Sequence, residues 1–280
     1  MPVPVPTPYE STHAFVDVDG LRTHYFESGS GPAVVALHGG EFGCAGDLSW
    51  EYNIAELSKS FRVIVPDWLG YGQTDKVHDF GNFYLRMMRH MQGFLAAIGV
   101  DDAVFLGNSM GANFLLRDAS LEQPFFKAKA LVAISGGGAV VDSQRYALTD
   151  YDGDRDKMVT LINSLLYDDA WSTDEQYVDR RQASAMVPGA WECAAAARFR
   201  APKRAPSPTV PDIDYSSIRI PVYLISGAED VFKPKGWALP VQEQIPGSKL
   251  FEVPGVGHCA QIENPDLFHE TVIPFIAEHA

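Results

Sequence analysis

The sequence predicts an α/β fold: a mostly parallel central sheet with helices on both faces and a helical lid inserted between two of its strands. Three observations lead there. Short apolar, β-branched runs recur along the chain, helical patterns separate several of them, and the alternation lapses once, between about residues 139 and 216. Strands covered on both faces read as near-continuous apolar runs, whereas half-exposed strands alternate.

The chain opens with "AFVDVDGLRTHYFESG", which alternates about Asp19-Gly20 and predicts a two-residue hairpin. The continuous runs follow: Ala33–Gly39, Phe61–Asp67, Ala103–Ser109, Ala130–Gly136, Val222–Gly227 and Lys249–Gly255. Between the second and third, Phe83, Met87, Met91, Phe94, Leu95 and Ile98 recur at helical spacing, and Gly99 closes the helix. The lapse contains two further helical patterns, "DKMVTLINSLLYD" and "TDEQYVDRRQASAM", and a Pro-rich return, "APKRAPSPTVPDIDY". A last helix starts near Pro265. The expected organisation is a core built from residues 1–138 and 217–280, with residues 139–216 as a helical lid. That lid should sit above the carboxyl ends of the strands, where such sheets bind ligands.

With 280 residues, 46% of them hydrophobic, the chain can bury one large core and a subdomain, not two independent cores. A formal net charge of -14 disfavours nucleic acid and anionic membrane surfaces and leaves a small-molecule substrate. No run approaches the ~18 apolar residues of a membrane span. "MPVPVPTPYE" has neither the basic nor the apolar region of a secretory leader. Cys44, Cys193 and Cys259 are far apart and lack metal spacing, so they read as reduced thiols, mostly buried, of a cytoplasmic protein.

Chemistry centres on Ser109 in "GNSMG", an instance of G-x-S-x-G between the strand "AVFLG" and the helix "GANFLLRDASL". In that context the serine sits on a strained turn and projects from the sheet. A serine needs a base, and the base needs a carboxylate to orient it. His258, on a Gly-rich loop after the last strand, supplies the base. Asp230, just past the strand Val222–Gly227, supplies the acid. Glu229 and Asp142 are rival acids, and Asp67 is read as a loop-holding residue. His13, His24, His78, His90, His269 and His279 are expected at the surface, and His38 opens a turn. "LHGGEFG" provides an oxyanion donor, the N–H of Gly40, to act with the N–H of Met110. No motif calls for a metal or a cofactor.

These residues resemble the α/β-hydrolase superfamily over nearly the whole chain after Phe15, and the serine nucleophile disfavours its dehalogenase and epoxide hydrolase branches. "GNSMGA", "LVAISGGG", "HGG" and Asn53-Ile54 are similar to the hydrolases that cleave carbon–carbon bonds in meta-ring-fission products of aromatic catabolism. The resemblance implies a cofactor-independent enzyme, as a homodimer or larger homo-oligomer, acting on a vinylogous 1,5-diketone. From "LLYDDAWSTDEQYVDRR" it implies that Arg180 binds the dienoate carboxylate with Asn108, and that Leu165 lines the pocket. Gly39, Ser49 and Cys259 complete the implied pocket wall. Glu41 and Phe42 depart from the family's H-G-x-G-P-G, Cys259 stands in place of a frequent tryptophan, and Ser49 in place of a frequent asparagine. Each departure bears on the substrate. The alternatives are an esterase, lactonase or amidase with the same triad, and a non-catalytic ligand receptor on the same fold.

Overall fold

The structure, a computed structural model, describes residues 3–141, 149–199 and 212–280. β1 (Thr12–Val18) and β2 (Leu21–Ser28) form the expected hairpin, with Val18 opposite Leu21. Asp19 and Gly20 take φ of 53° and 78°, the left-handed pair that a two-residue turn needs. The remaining strands are β3 (Ala33–Leu37), β4 (Arg62–Pro66), β5 (Asp102–Asn108), β6 (Lys127–Ile134), β7 (Val222–Gly227) and β8 (Lys249–Val253). They form one eight-stranded sheet in the order β1-β2-β4-β3-β5-β6-β7-β8. β2 runs antiparallel to β4, and every pair from β4 to β8 is parallel. The expected α/β class and mostly parallel sheet are therefore observed. Several strands stop short of their apolar runs because the residues beyond, such as His38-Gly39 and Ser109, turn into loops at the carboxyl end.

Each central strand is buried on both sides. Val35, Leu37 and Phe105 face one apolar layer, and Val34, Ala36, Val104 and Leu106 face the other. The first layer is closed by α2 (Phe83–Ala97) and α3 (Met110–Ala119), the second by α1 (Gly46–Leu57) and a C-terminal helix, Pro265–His279. Asn82 caps α2 by accepting the Leu85 N–H, and Asn264 caps the last helix through the Leu267 N–H.

Two histidines expected at the surface are buried. His24 donates from Nδ1 to Asp67 at 2.7 Å, and His90 Nε2 lies 2.9 Å from Thr23 Oγ1. The hairpin strand β2 lies within the sheet, between β1 and β4, so its inward residues meet α2 and the loop after β4. Of the cysteines, Cys44 and Cys259 are buried and Cys193 is half-buried; all three are free. Asp142 lies outside the described residues.

Between β6 and β7 the described residues form α4 (Arg155–Leu165), α5 (Ala170–Thr173), α6 (Glu175–Ala185) and α7 (Ala190–Ala195). Met158, Leu161, Leu165, Trp171, Tyr177 and Val178 pack on Phe42, Phe232 and Cys259, which belong to loops at the carboxyl ends of β3, β7 and β8. Glu263, on the short helix Ala260–Glu263, ties the two parts together. Its Oε1 accepts the Gly257 N–H at 2.8 Å and its Oε2 accepts the Tyr167 N–H at 2.7 Å.

Burial pushes the Glu263 pKa up to about 7, despite those hydrogen bonds. A carboxyl whose folded pKa lies above its unfolded one favours folding while protonated. That contribution is complete below the ordinary glutamate range and is lost as pH rises towards 7. Urea unfolding at a series of pH values should show wild type losing stability relative to Glu263→Gln as pH rises, by on the order of 3 kcal/mol, and no further change above about pH 7. A difference constant with pH would contradict this.

Candidate functional site

Ser109 occupies the junction of β5 and α3 with φ 51° and ψ -111°, a conformation that L-residues adopt only under constraint. Two glycines supply that constraint. A Cβ on Gly107 would lie 2.6 Å from the Ala112 nitrogen, and one on Gly111 would lie 2.7 Å from the Leu37 carbonyl oxygen. The strand can therefore fold straight back into a helix that touches β3. The turn is held by the Ser109 N–H, which donates to Ile134 O at 2.8 Å, and by Ser109 O, which accepts from Asn113 at 2.9 Å.

His258 Nε2 stands 2.9 Å from Ser109 Oγ, and its Nδ1 stands 2.7 Å from Asp230 Oδ2. The other Asp230 oxygen accepts the Phe232 N–H at 2.9 Å. Burial works against the Asp230 carboxylate, but His258, this N–H and Lys233 keep its pKa below the ordinary aspartate value. It is therefore ionised and aimed at the imidazole. The rival Glu229 is exposed and points away. Asp67 serves elsewhere: it accepts from His24, Gly46 N and Gln73 N, tying its own loop to β2 and to the start of α1.

The loop after β3 lies against the same turn. A Cβ on Gly40 would meet Met110 Sδ at 2.7 Å, so the loop that carries one expected oxyanion donor packs on the side chain of the residue that carries the other. Tyr71 donates to Gly40 O at 2.9 Å, and His38 accepts the Trp68 N–H at 3.0 Å while donating to Gly39 O at 2.7 Å. Burial lowers the His38 pKa, consistent with a neutral ring that accepts at one nitrogen and donates from the other. His38 thus shapes the loop.

Of the expected substrate-binding residues, Asn108 is buried and donates to His258 O at 3.1 Å, bridging the nucleophile strand and the base loop. The Cys259 thiol lies 3.7 Å from Asn108 Oδ1. Gly39 faces Asn108 from the opposite loop. Leu165 is buried, and its carbonyl accepts the His258 N–H at 2.8 Å. Ser49 lies one step back, its Oγ 3.2 Å from Cys44 Sγ.

Arg180 requires correction. Its guanidinium pairs with Glu51 on the outside of the protein, with the side chain 44% exposed. The inward arginine is Arg181, 2% exposed, whose Nη2 donates to Glu41 Oε1 at 3.1 Å. Adjacent residues on a helix point about 100° apart, so the next position faces the core. The sequence carried the signal: Tyr177, Val178, Arg181 and Ala185 share the buried face of α6. Glu41, noted only as a departure from a loop pattern, is its partner. Burial opposes the Glu41 carboxylate, but Arg181, its own backbone N–H and the Cys44 thiol hold its pKa below the ordinary value. Among the described residues no group of three or more His, Cys, Asp or Glu side chains is placed to hold a metal. Among the described residues no helix is long and apolar enough to cross a membrane. A groove of about 740 Å³ bounded by Tyr9, Tyr52, Trp171 and His269 is separate from this chemistry, since neither Ser109 nor His258 lines it.

A hydroxyl on a strained strand-to-helix turn, hydrogen-bonded to an imidazole that a buried aspartate orients, is the arrangement that serine hydrolases use. The comparisons with known proteins narrow the class. The chain belongs to the alpha/beta hydrolase family, whose model matches residues 34–271. It is 27% identical to the 2-hydroxy-6-oxo-6-(2'-aminophenyl)hexa-2,4-dienoic acid hydrolase of Metapseudomonas resinovorans, over 95% of this chain and 91% of that one. It is 28% identical to the 2-hydroxymuconate semialdehyde hydrolase of Pseudomonas sp. (strain CF600), over 92% of each. Among solved structures, the meta-cleavage product hydrolase of Pseudomonas fluorescens IP01 superposes with a TM-score of 0.84 at 25% identity, covering 95% of this chain and 98% of that one. The resemblance seen in the motifs thus holds at the level of whole chains.

The two arginines should separate in stability. Removing Arg181 strands a buried carboxylate, and Arg181→Gln should cost about 3–5 kcal/mol. Arg180 sits at the surface, and Arg180→Gln should cost about 1 kcal/mol or less. Urea unfolding of the two variants checks this, and equal losses would contradict it.

Proposed function

We propose that the protein is a serine-dependent hydrolase that cleaves a carbon–carbon bond in a vinylogous 1,5-diketone, a 2-hydroxy-6-oxo-dienoate of the kind formed by aromatic ring fission. The observation that carries the proposal is the unbroken chain from Ser109 through His258 to Asp230, at 2.9 and 2.7 Å. The similarity of the chain to dienoate hydrolases along most of its length names the bond.

The dienol first becomes its keto form, with its acid end towards Arg181 and Asn108. Ser109 Oγ attacks the distal carbonyl carbon, and His258 Nε2 takes the proton. The Gly40 and Met110 N–H groups receive the oxyanion. The carbon–carbon bond breaks because its electron pair flows into a conjugated dienolate, so the departing carbon is never an unstabilised carbanion. The protonated His258 gives its proton to the departing dienolate and, neutral again, activates water, which releases the acyl group from Ser109. The resemblance to this family supports a cytoplasmic location and assembly as a homodimer or larger homo-oligomer.

A second reading, hydrolysis of an ester or lactone by the same triad, is favoured by one observation. Arg181 is already paired with Glu41, and a heteroatom leaving group needs no carboxylate clamp. Turnover of coloured dienoate ring-fission products, measured beside simple aryl esters, separates the two. We expect kcat/KM for a dienoate to exceed that for the esters by about 100-fold or more, and Ser109→Ala to lower kcat by about 10⁴-fold or more. Preference for the esters would overturn the carbon–carbon reading. Retention of turnover by Ser109→Ala would overturn both.

A further inference from the structure

Glu41 is a buried carboxylate in a site expected to receive an acid. It is 7% exposed. Its Oε1 accepts from Arg181, and its Oε2 lies over the bare Cα of Gly39, where a Cβ would approach it to 2.4 Å. The same Cβ would lie 3.5 Å from Asn108 Oδ1, so Oε2 and the Asn108 amide flank Gly39 one residue from the nucleophile. Arg181 has more to offer than one bond. Its Nε is buried and has no hydrogen-bond partner.

These groups form a pole of compensated charge in which the acceptor, Glu41, and the orphan donor, Arg181 Nε, belong to one ion pair. A lone guanidinium would take any carboxylate. Here a simple carboxylate would gain Arg181 Nε but face Glu41, a like charge out of reach of water. A ligand with a hydroxyl on the carbon next to its carboxylate answers both groups: the carboxylate meets Arg181 and the hydroxyl donates to Glu41. Burial raises the pKa of the Cys44 and Cys259 thiols and keeps both neutral, and a neutral Cys44 thiol is only a weak donor to Glu41.

We propose that Glu41 is a specificity residue that recognises a hydroxyl adjacent to the substrate's carboxylate, so that the site selects 2-hydroxy acids over plain acids. The inference rests on the function proposed above and sharpens it. In the dienol form of the ring-fission product, the 2-hydroxyl is the group that Glu41 accepts. A site that bonds a hydroxyl disfavours the analogue without it, because Glu41 then keeps only its weaker donor on that side, the Cys44 thiol.

Calorimetric titration of the intact protein with three inert probes tests this without depending on turnover. The probes are mandelate, phenylacetate and α-methoxyphenylacetate: a 2-hydroxy acid, the same acid without the hydroxyl, and the same acid with the hydroxyl capped. Mandelate should bind about tenfold or more tightly than either of the others. In Glu41→Gln the preference should shrink towards unity, with phenylacetate binding more tightly once the like charge is gone. Equal affinities in the wild type, or no detectable binding of mandelate, would overturn the inference whether or not the variant folds. So would a preference that survives in Glu41→Gln. The two proposals fail separately. A protein that hydrolyses only esters but prefers mandelate keeps this inference and loses the carbon–carbon reading. A dienoate hydrolase indifferent to the hydroxyl does the reverse.

Discussion

The site depends on a backbone contact that leaves no room for a side chain. A Cβ on Gly227, at the end of β7, would lie 1.8 Å from Gly257 O and 2.6 Å from Val256 O. Because residue 227 is glycine, the loop after β7 and the loop after β8 lie against each other. Two backbone hydrogen bonds lock the crossing, Ala228 N to Val253 O at 2.9 Å and Glu229 N to Val256 O at 3.0 Å. Asp230 follows the first loop and His258 the second. Their hydrogen bond is therefore a consequence of main-chain packing more than of side-chain attraction, and the exposed Glu229 is turned outwards by the same crossing. The glycines at 107 and 111 do the equivalent for Ser109. Three loops are brought within hydrogen-bond distance because three positions, 107, 111 and 227, lack a Cβ.

The helices between β6 and β7 complete this arrangement through two buried carboxylates. Glu263 holds the Gly257 and Tyr167 N–H groups, fastening the base loop to the segment after α4. Glu41 pairs with Arg181 and fastens the loop after β3 to α6. A buried ion pair is weak evidence for stability, since desolvation can outweigh attraction. Its retention in a cramped site next to Asn108 and Gly39 is better explained by recognition. Both contacts cross from the sheet's loops to the helical segment, so the position of that segment and the chemistry of the site are linked.

Much of the fold was legible because burial on both faces forces continuous apolar runs, and the Asp19-Gly20 hairpin and Asn-capped helices have local causes. The triad was legible for a related reason: Ser109 sits in a motif whose glycines are required by close approach, and Asp230 and His258 follow strand ends. What the sequence hid was direction. Choosing Arg180 over Arg181 turned on a motif alignment accurate to one residue, while a helix face changes with every residue. His24 and His90 looked like surface histidines because their partners, Asp67 and Thr23, are distant in sequence or lie on another element. Glu41 was visible only as a mismatch, and its meaning required knowing that Arg181 of α6 faces it.

Backbone crossing at Gly227 places Asp230 on His258, and through His258 it should set the reactivity of Ser109. The rate at which a fluorophosphonate probe labels Ser109, followed by mass spectrometry, measures that activation without knowledge of the substrate. Gly227→Ala should remain folded, with an overpacking cost of about 1–3 kcal/mol, and should label about 100-fold more slowly than wild type. A folded variant that labels at the wild-type rate would contradict the account.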